Sequence, residues 1–485
     1  MSLRESCGVY GVYSDSEDVF PLLYWGMLAQ NHRGHQSHGF AVLSGKMKTH
    51  RSLGLIPVLP ESGIRNEIPS MPGRVGIANV RYATSASSSL ESLTRNAMPI
   101  MESDGERAIA ISFNGNIVNI RRLQNMFGID PSLSDAHVIC RMIFKMIKET
   151  GSIVEASKYC METVDGSFSI VGLTEKGDLF AFKDPVGVKP LCYGCRDGLK
   201  AFSSESVGLD INDIDFDHEF NPGELMIIGE SNTEKTQVLP CRRKAFCAFE
   251  FAYFARPDSR FNHKYVYEAR RGFGASLARK YSDVASRCDV VISLPETAND
   301  AAYGFHEESG LPWDMSTRRH RYVSQRAFIT GVEERSRVVY RKVNLIKSKI
   351  KGRRLAVVDD SIVRGDTTRS VVKRLRAAGA EEVHLFITFP KIIGPCFYGI
   401  DMASYGELIG SSKTNEEITL ELGADSVNYQ PIEDYITATG MRKDELCLGC
   451  VTGEYPTPLA NEMAKKMKER IVNGGREDGR IYESY

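Results

Sequence analysis

LAVVDDSIVRGDTTRSVVKRL, residues 355–375, decides how the second half of this chain is read. Leu355, Ala356, Val357 and Val358 form an apolar run that leads straight into two acids, Asp359 and Asp360. A loop of small and polar residues follows, and then the pattern turns helical. Charge at the end of a buried strand is costly, so the acids need a reason to be there. In a parallel α/β sheet that reason is position, because ligands bind outside the carboxyl ends of the strands. The loop SIVRGDTT opens a helix N-terminus, whose free N–H groups and dipole favour a phosphate. Gly365 permits close backbone approach, and Ser361, Thr367 and Thr368 add hydroxyl donors. Carboxylates beside a phosphate suit sugar hydroxyls or a Mg²⁺ shared with the substrate. A lone DD is usually a capped turn with exposed acids, but the full pattern is more specific.

Working outward, strand and helix patterns alternate. YEARRGFGASLARKYSDV (267–284) reads as helix, CDVVISLP (288–295) as buried strand and NDAAYGFHEESG (299–310) as helix. TTRSVVKRLRAAGA (367–380) is a helix and EEVHLFITF (381–389) a strand. This alternation predicts a parallel, doubly wound sheet. Residues before about 240 differ. GVYGVYS, GFAVLSG, RVGIANVRYAT and AIAISFNGNIV are strand-like, while DAHVICRMIFKMIKET (135–150) is helical, which predicts a layered α+β domain. The expected divisions are a leader at 1–6, domains at 7–240 and 241–460, and a charged helix with a mobile tail at 461–485.

The 485 residues carry 61 Lys+Arg against 62 Asp+Glu, a net charge of −1. That balance gives no global attraction to nucleic acid or anionic membrane. No apolar run approaches the roughly 18 residues of a membrane span. The start, MSLRESCGVYGVYSD, lacks a secretory apolar core. A soluble cytoplasmic protein is the expectation. The eleven cysteines then point to packing, catalysis or metal binding before disulfides. Cys140 and Cys160, in helical apolar patterns, read as packing.

Cys7, in ESCGVYGV, heads the first strand. A thiol nucleophile needs a base. Removal of the first six residues would leave the α-amino group of Cys7, with a reference pKa of about 7.7–8.0, beside its own sulfur. The plainer reading is a buried strand cysteine.

VVDDSIVRG resembles the phosphoribosyl-diphosphate (PRPP) signature of type I phosphoribosyltransferases, specifically that of the glutamine PRPP amidotransferases. The resemblance implies that Asp359 and Asp360 face the ribose diol and Mg²⁺. It implies that residues 361–368, with Ser361, Arg364, Gly365, Thr367 and Thr368, hold the 5′-phosphate. Asp366 stands where the family usually has Thr, and an added anion there is electrostatically unhelpful. SLPETAND (293–300) resembles the pyrophosphate loop, with Glu296 and Thr297 on PRPP and Thr297 also toward the metal. RHRYVSQRAFI (319–329) resembles the flexible loop that closes over PRPP, where Arg319, Arg321 and Arg326 would neutralise diphosphate. Lys342 would add a cation.

NHRGHQSHG, VRYATSASSS, FNGN, SDAH, GSFS, DPVGVKPL and SSES occur in the order seen in class II glutamine amidotransferases, which have the αββα N-terminal-nucleophile fold. That resemblance implies Arg81 on the glutamine carboxylate, Asp135 on its amino group, and Arg33 near the substrate. Asn114 and Gly115 would form the oxyanion hole for Cys7 chemistry. His35–Gln36, Met98 and Lys189 depart from the usual residues without removing a catalytic group.

CLGC (447–450) is a C-x-x-C, open to zinc, redox or iron–sulfur use. Cys192 and Cys195 form a second pair, read as structural. Resemblance to the iron–sulfur subgroup groups Cys247, Cys396, Cys447 and Cys450 around a [4Fe–4S] cluster acting as a structural clasp. In that subgroup the cluster and a removable leader occur together. The expected activity is conversion of glutamine, PRPP and water to 5-phosphoribosylamine, glutamate and pyrophosphate, the first step of purine synthesis. The expected assembly, again by resemblance, is a tetramer. Rival readings are another class II amidotransferase, such as glucosamine-phosphate synthase or asparagine synthetase, and a PRPP-sensing regulator.

Overall fold

The computed structural model describes residues 7–58, 68–82, 89–230, 232–241, 243–319, 343–402 and 404–473. The first half is built on two antiparallel sheets. At the middle of the seven-stranded sheet, Gly8–Ser14 lies between Val75–Arg81 and Leu199–Ser203. In the six-stranded sheet Gly166–Thr174 lies between Ala108–Ile117 and Leu179–Lys183. Alternation along the strands sorts their side chains. Val9 and Ile77 of one sheet pack with Ala110, Val171, Leu173 and Ala181 of the other. Tyr10 and Val12 face the other way, packing with Leu23 and Met27 of the helix Phe20–Ala29. Ile109, Ile111 and Phe113 pack with the helices Asp135–Thr150 and Ile153–Thr163. The layers are therefore αββα. Both central strands are buried on both faces, and the two serines of the second, Ser167 and Ser169, find buried hydrogen-bond partners in Asp184 and the Lys189 carbonyl.

The second half holds a parallel sheet in the order Val290–Ser293, Arg354–Asp359, Glu382–Ile387, Ser426–Tyr429. Trp313 makes a parallel bridge to Val291, on the opposite edge of the first strand from Arg354–Asp359. The chain thus steps one way from its first strand and then returns to the other side. That reversal is a topological switch point, and the loops after Ser293 and Asp359 meet there. Val266–Lys280 and Asn299–Ser309 cover one face of the sheet, and Asp366–Ala377 and Asn415–Leu422 the other. Helices on both faces make the sheet doubly wound.

A third core joins Val118, Val186 and Val188 of the first half to Phe246, Phe249, Phe397 and their neighbours in the second. The terminal helix, Pro458–Val472, belongs to this core. Ala460, Met463, Ala464 and Met467 lie buried at helical spacing, so the stretch read as a charged helix carries an apolar stripe. The expected tail lies largely outside the described residues. Among the described residues no helix is long and apolar enough to cross a membrane.

Candidate active site

Gly8 pairs with Val80, which sets Cys7 beside Arg81 at the end of the adjacent strand. The Cys7 thiol is 9% exposed and donates to the Tyr82 carbonyl at 3.6 Å. Burial pushes this thiol up, and the Arg81 charge only partly opposes the shift. A buried thiol of that kind needs a base. Gly34 packs so tightly under this strand end that a Cβ would lie 2.5 Å from the Arg81 nitrogen. Asn114 and Gly115 come from the facing sheet, in register with Ser169 and Phe168. Asp135 opens the helix Asp135–Thr150 and is 8% exposed.

Several buried polar atoms here have no hydrogen-bond partner: Nη1 of Arg81, and Nδ2 and Oδ1 of Asn114. Such groups cost stability unless a ligand completes them. Arg81 and Asp135 both act electrostatically on Cys7, so a cation and an anion lie close to the thiol. A cation and an anion beside a thiol, with a buried amide on the facing sheet left unpartnered, suit an amino acid whose side-chain carbonyl is to be attacked.

Arg33, expected on glutamine, has other partners. Its Nε donates to the Cys7 carbonyl oxygen at 3.1 Å. Its Nη atoms bind Glu250 at 2.7 and 3.0 Å and also bind Glu205. At 1% exposure it has no free face for substrate, and it packs against the backbone of Cys7.

At the switch point Asp359 and Asp360 are 9% and 8% exposed. Burial, then the charge of Asp360, pushes Asp359 well above the carboxylate range. Burial also raises Asp360, while hydrogen bonds from Thr297 and Ser361 and the charge of Arg270 pull it back. Thr297 Oγ1 donates to Asp360, and Ser361 Oγ donates to its other oxygen at 2.7 Å. Glu296 is exposed and pairs with Arg319 at 3.0 Å. The loop then turns at Gly365, with φ +80°, into the helix Asp366–Ala377. Thr368 is buried in its first turn, Thr367 is half-buried, and Arg364 binds Glu407 at 2.8 Å. Asp366 pairs with Arg369 at 3.4 Å and is largely exposed, and as an acid at this helix start it is favoured by the dipole. Arg321, Arg326 and Lys342 lie outside the described residues.

Comparison with known proteins gives the family. Residues 86–210 match the model of a glutamine amidotransferase domain. The amidophosphoribosyltransferase of Methanocaldococcus jannaschii is 38% identical, over 93% of this chain and 98% of its own length. That of Methanothermobacter thermautotrophicus is 35% identical, over 96% and 97%. The chain belongs to the amidophosphoribosyltransferase family. A solved structure, glutamine PRPP amidotransferase from B. subtilis complexed with ADP and GMP, superposes with a TM-score of 0.83. It shares 31% identity and covers 93% of this chain and 98% of its own. The αββα glutaminase half and the phosphoribosyltransferase half are thus those of an amidophosphoribosyltransferase.

Cys247, Cys396, Cys447 and Cys450 line one cavity, with Val188, Phe249, Tyr398, Ile400 and Tyr455. Cys247 and Cys447 sit opposite one another on a short parallel pair. The Tyr398 N–H donates to the Cys396 sulfur at 3.3 Å. Burial and mutual charge push Cys247 and Cys450 up strongly, and burial puts Cys447 at about 12. Thiols so placed ionise only against a cation. Among the described residues no three or more His, Cys, Asp or Glu groups converge as a single metal ion requires. A zinc Cys₄ site draws its sulfurs to about 2.3 Å from one point. Four cysteine thiolates are also the ligand set of a [4Fe–4S] cluster, and the four thiols that line this cavity are of that chemical kind. For Mg²⁺, one or two carboxylates plus substrate oxygens suffice, and the acid pair with Thr297 fits.

Glu205, Glu250 and Arg270 were not singled out by sequence reasoning. A signal existed for one of them: Glu250 is the sole charge in CAFEFAYF (247–254), and a lone acid in an apolar run demands a partner.

Proposed function

We propose that the chain couples two half-reactions. In the first, the Cys7 thiolate attacks the side-chain amide carbon of glutamine. Arg81 holds the substrate carboxylate and Asp135 its amino group. Asn114 and the Gly115 N–H donate to the tetrahedral oxyanion, ammonia leaves, and water resolves the thioester to glutamate. Support comes from the charges of Arg81 and Asp135 acting on the buried thiol and from the unpartnered buried atoms of Arg81 and Asn114. Residues 1–6 are removed, and the freed α-amino group of Cys7 serves as base.

In the second half-reaction ammonia displaces pyrophosphate from C1 of PRPP, giving 5-phosphoribosylamine, the first step of purine synthesis. Asp359 and Asp360 take the ribose hydroxyls, the 361–368 loop holds the 5′-phosphate, and Glu296, Thr297, Arg321 and Lys342 serve the diphosphate. Asp359, Asp360 and Thr297 would hold magnesium, which would supply charge neutralisation for the leaving pyrophosphate. The four cysteines hold a [4Fe–4S] cluster that clasps the 247, 396 and 447–450 segments, and the enzyme is a homotetramer by family resemblance.

Glutamine-dependent release of pyrophosphate from PRPP tests the function. Cys7→Ala should abolish it and spare the ammonia-dependent reaction. Loss of both, in a folded protein, would refute the division of labour. Intact mass beginning at Cys7, and about four iron and four sulfide per chain, test the leader and the cluster.

A further inference from the structure

Glu250 begins a five-residue π-helical turn, Glu250–Phe254, in the transferase half and is fully buried. Both of its oxygens go to Arg33, 217 positions earlier in the chain, at 2.7 and 3.0 Å. Arg33 passes that contact on, since its Nε donates to the carbonyl of Cys7 at 3.1 Å. Two hydrogen-bonded steps therefore join a carboxylate of one half to the backbone of the nucleophile in the other. Glu205 takes the rest of the guanidinium, and is itself fixed by the Arg256 N–H at 3.0 Å and Ser259 Oγ at 2.6 Å. Burial works against the charge on Arg33, but Glu250 and then Glu205 outweigh it and raise that group.

The turn is anchored to the PRPP side of the molecule. Phe249 meets Phe389 edge to face at 4.7 Å between centroids, and the Phe389 N–H donates to the Asp360 carbonyl at 2.9 Å. Buried Arg270 donates to the carbonyls of Phe251 and Ala255 at 2.9 and 2.7 Å, fixing the turn from behind. A buried charge pair is a poor way to gain stability, since apolar replacements often serve as well. Its geometric specificity is what an apolar contact would lack.

We propose that Glu250 is a positioning residue for Cys7, supplied by the transferase half and acting through Arg33. The proposal rests on the reading of Cys7 as the nucleophile. Oriented this way, the thiol meets the amide carbon squarely, and a small misplacement costs rate far more than binding.

The test uses the full-length enzyme and the variants Glu250→Gln and Cys7→Ala, assayed with PRPP and either glutamine or ammonia. Glu250→Gln is expected to lower kcat with glutamine about tenfold or more, with the KM for glutamine and the ammonia-dependent kcat within about twofold. A parallel fall of both reactions marks a merely structural clamp and overturns the proposal. An unchanged glutamine kcat, or a change confined to KM, overturns it too. Should Glu250→Gln not fold, Glu250→Asp keeps the buried charge while withdrawing the carboxylate from Arg33, and is read the same way. If Cys7→Ala keeps glutamine-dependent turnover, it is the nucleophile assignment that fails. If Cys7→Ala abolishes turnover and Glu250→Gln leaves it intact, only the role of Glu250 fails.

Discussion

Thr297 donates its hydroxyl hydrogen bond to Asp360, joining the two loops that meet at the switch point of the transferase sheet. The contact orients a buried carboxylate that Ser361 holds from the other side at 2.7 Å. Thr297→Val keeps the shape and removes the donor, leaving one oxygen of Asp360 short of a partner. The expected result is a weaker grip on magnesium-loaded PRPP, with KM up by about tenfold, in keeping with about 1–3 kcal/mol for an orphaned buried acceptor. Glutamine hydrolysis measured without PRPP should be unaffected. Kinetics for PRPP at fixed magnesium decide it, and an unchanged KM would sink the role.

Asn114→Ala should reduce glutamine kcat by about 10²–10³, the usual cost of one lost oxyanion donor, with little change in KM. Arg81→Ala should do the reverse and raise KM for glutamine, because its unpartnered Nη1 is read as a ground-state contact to the carboxylate. Steady-state rates with glutamine and ammonia side by side separate the two. Should both variants change only KM, the oxyanion assignment fails.

His137, in the SDAH motif within reach of the Arg81 charge, gives a pH test. Burial, then the charges of Arg81, Arg51, Arg95 and Arg141, bring it down to about 4. The unfolded chain, with His near 6.5, therefore binds a proton between about pH 4 and 6.5 that the folded chain refuses. Stability from this group is whole above about 6.5 and falls as pH drops toward 4, by up to about 3 kcal/mol. His137→Gln removes the term, so the difference in thermal midpoint between variant and parent should move in favour of the variant as the buffer is acidified through that window. A difference that stays flat from pH 7 to 4 contradicts it.

How much of this was legible in the sequence depends on where partners lie. The strand Arg354–Asp359 and helix Asp366–Ala377 were readable because an apolar run, a glycine turn and a helical period lie within two dozen residues. Helix Asn299–Ser309 was bounded by Gly310, which sits at φ +71° as a C-terminal glycine should. The clamp behind Cys7 was not readable, since Arg33 finds Glu205 and Glu250 at separations of 172 and 217 residues, and no local pattern encodes such pairing. The same distance explains why Arg33 was expected on the substrate. Its motif was plain while its partners were not. The apolar stripe of Pro458–Val472 was hidden among lysines and glutamates, because Met and Ala at every third or fourth place draw little notice in a charged segment.

Gly365 offers the sharpest test of the proposed phosphate loop. Its φ of +80° lies in the region that side-chain-bearing residues rarely adopt. An added Cβ would also stand 2.9 Å from Ile409 Cδ1 and 3.2 Å from Leu422 Cδ2, so the loop would have to move or the two side chains give way. Gly365→Ala should therefore cost about 1–3 kcal/mol of strain. The loop can shed that strain by flattening its turn, which swings the N–H groups at the start of Asp366–Ala377 away from the phosphate. The expected pattern is a loss of PRPP affinity with glutamine hydrolysis in the absence of PRPP preserved. Isothermal titration with PRPP and magnesium reads the first, and a glutaminase assay the second. If the variant binds PRPP as the parent does, the turn at Gly365 is not the phosphate cradle, and the residues that hold the 5′-phosphate must be sought elsewhere along the strand ends.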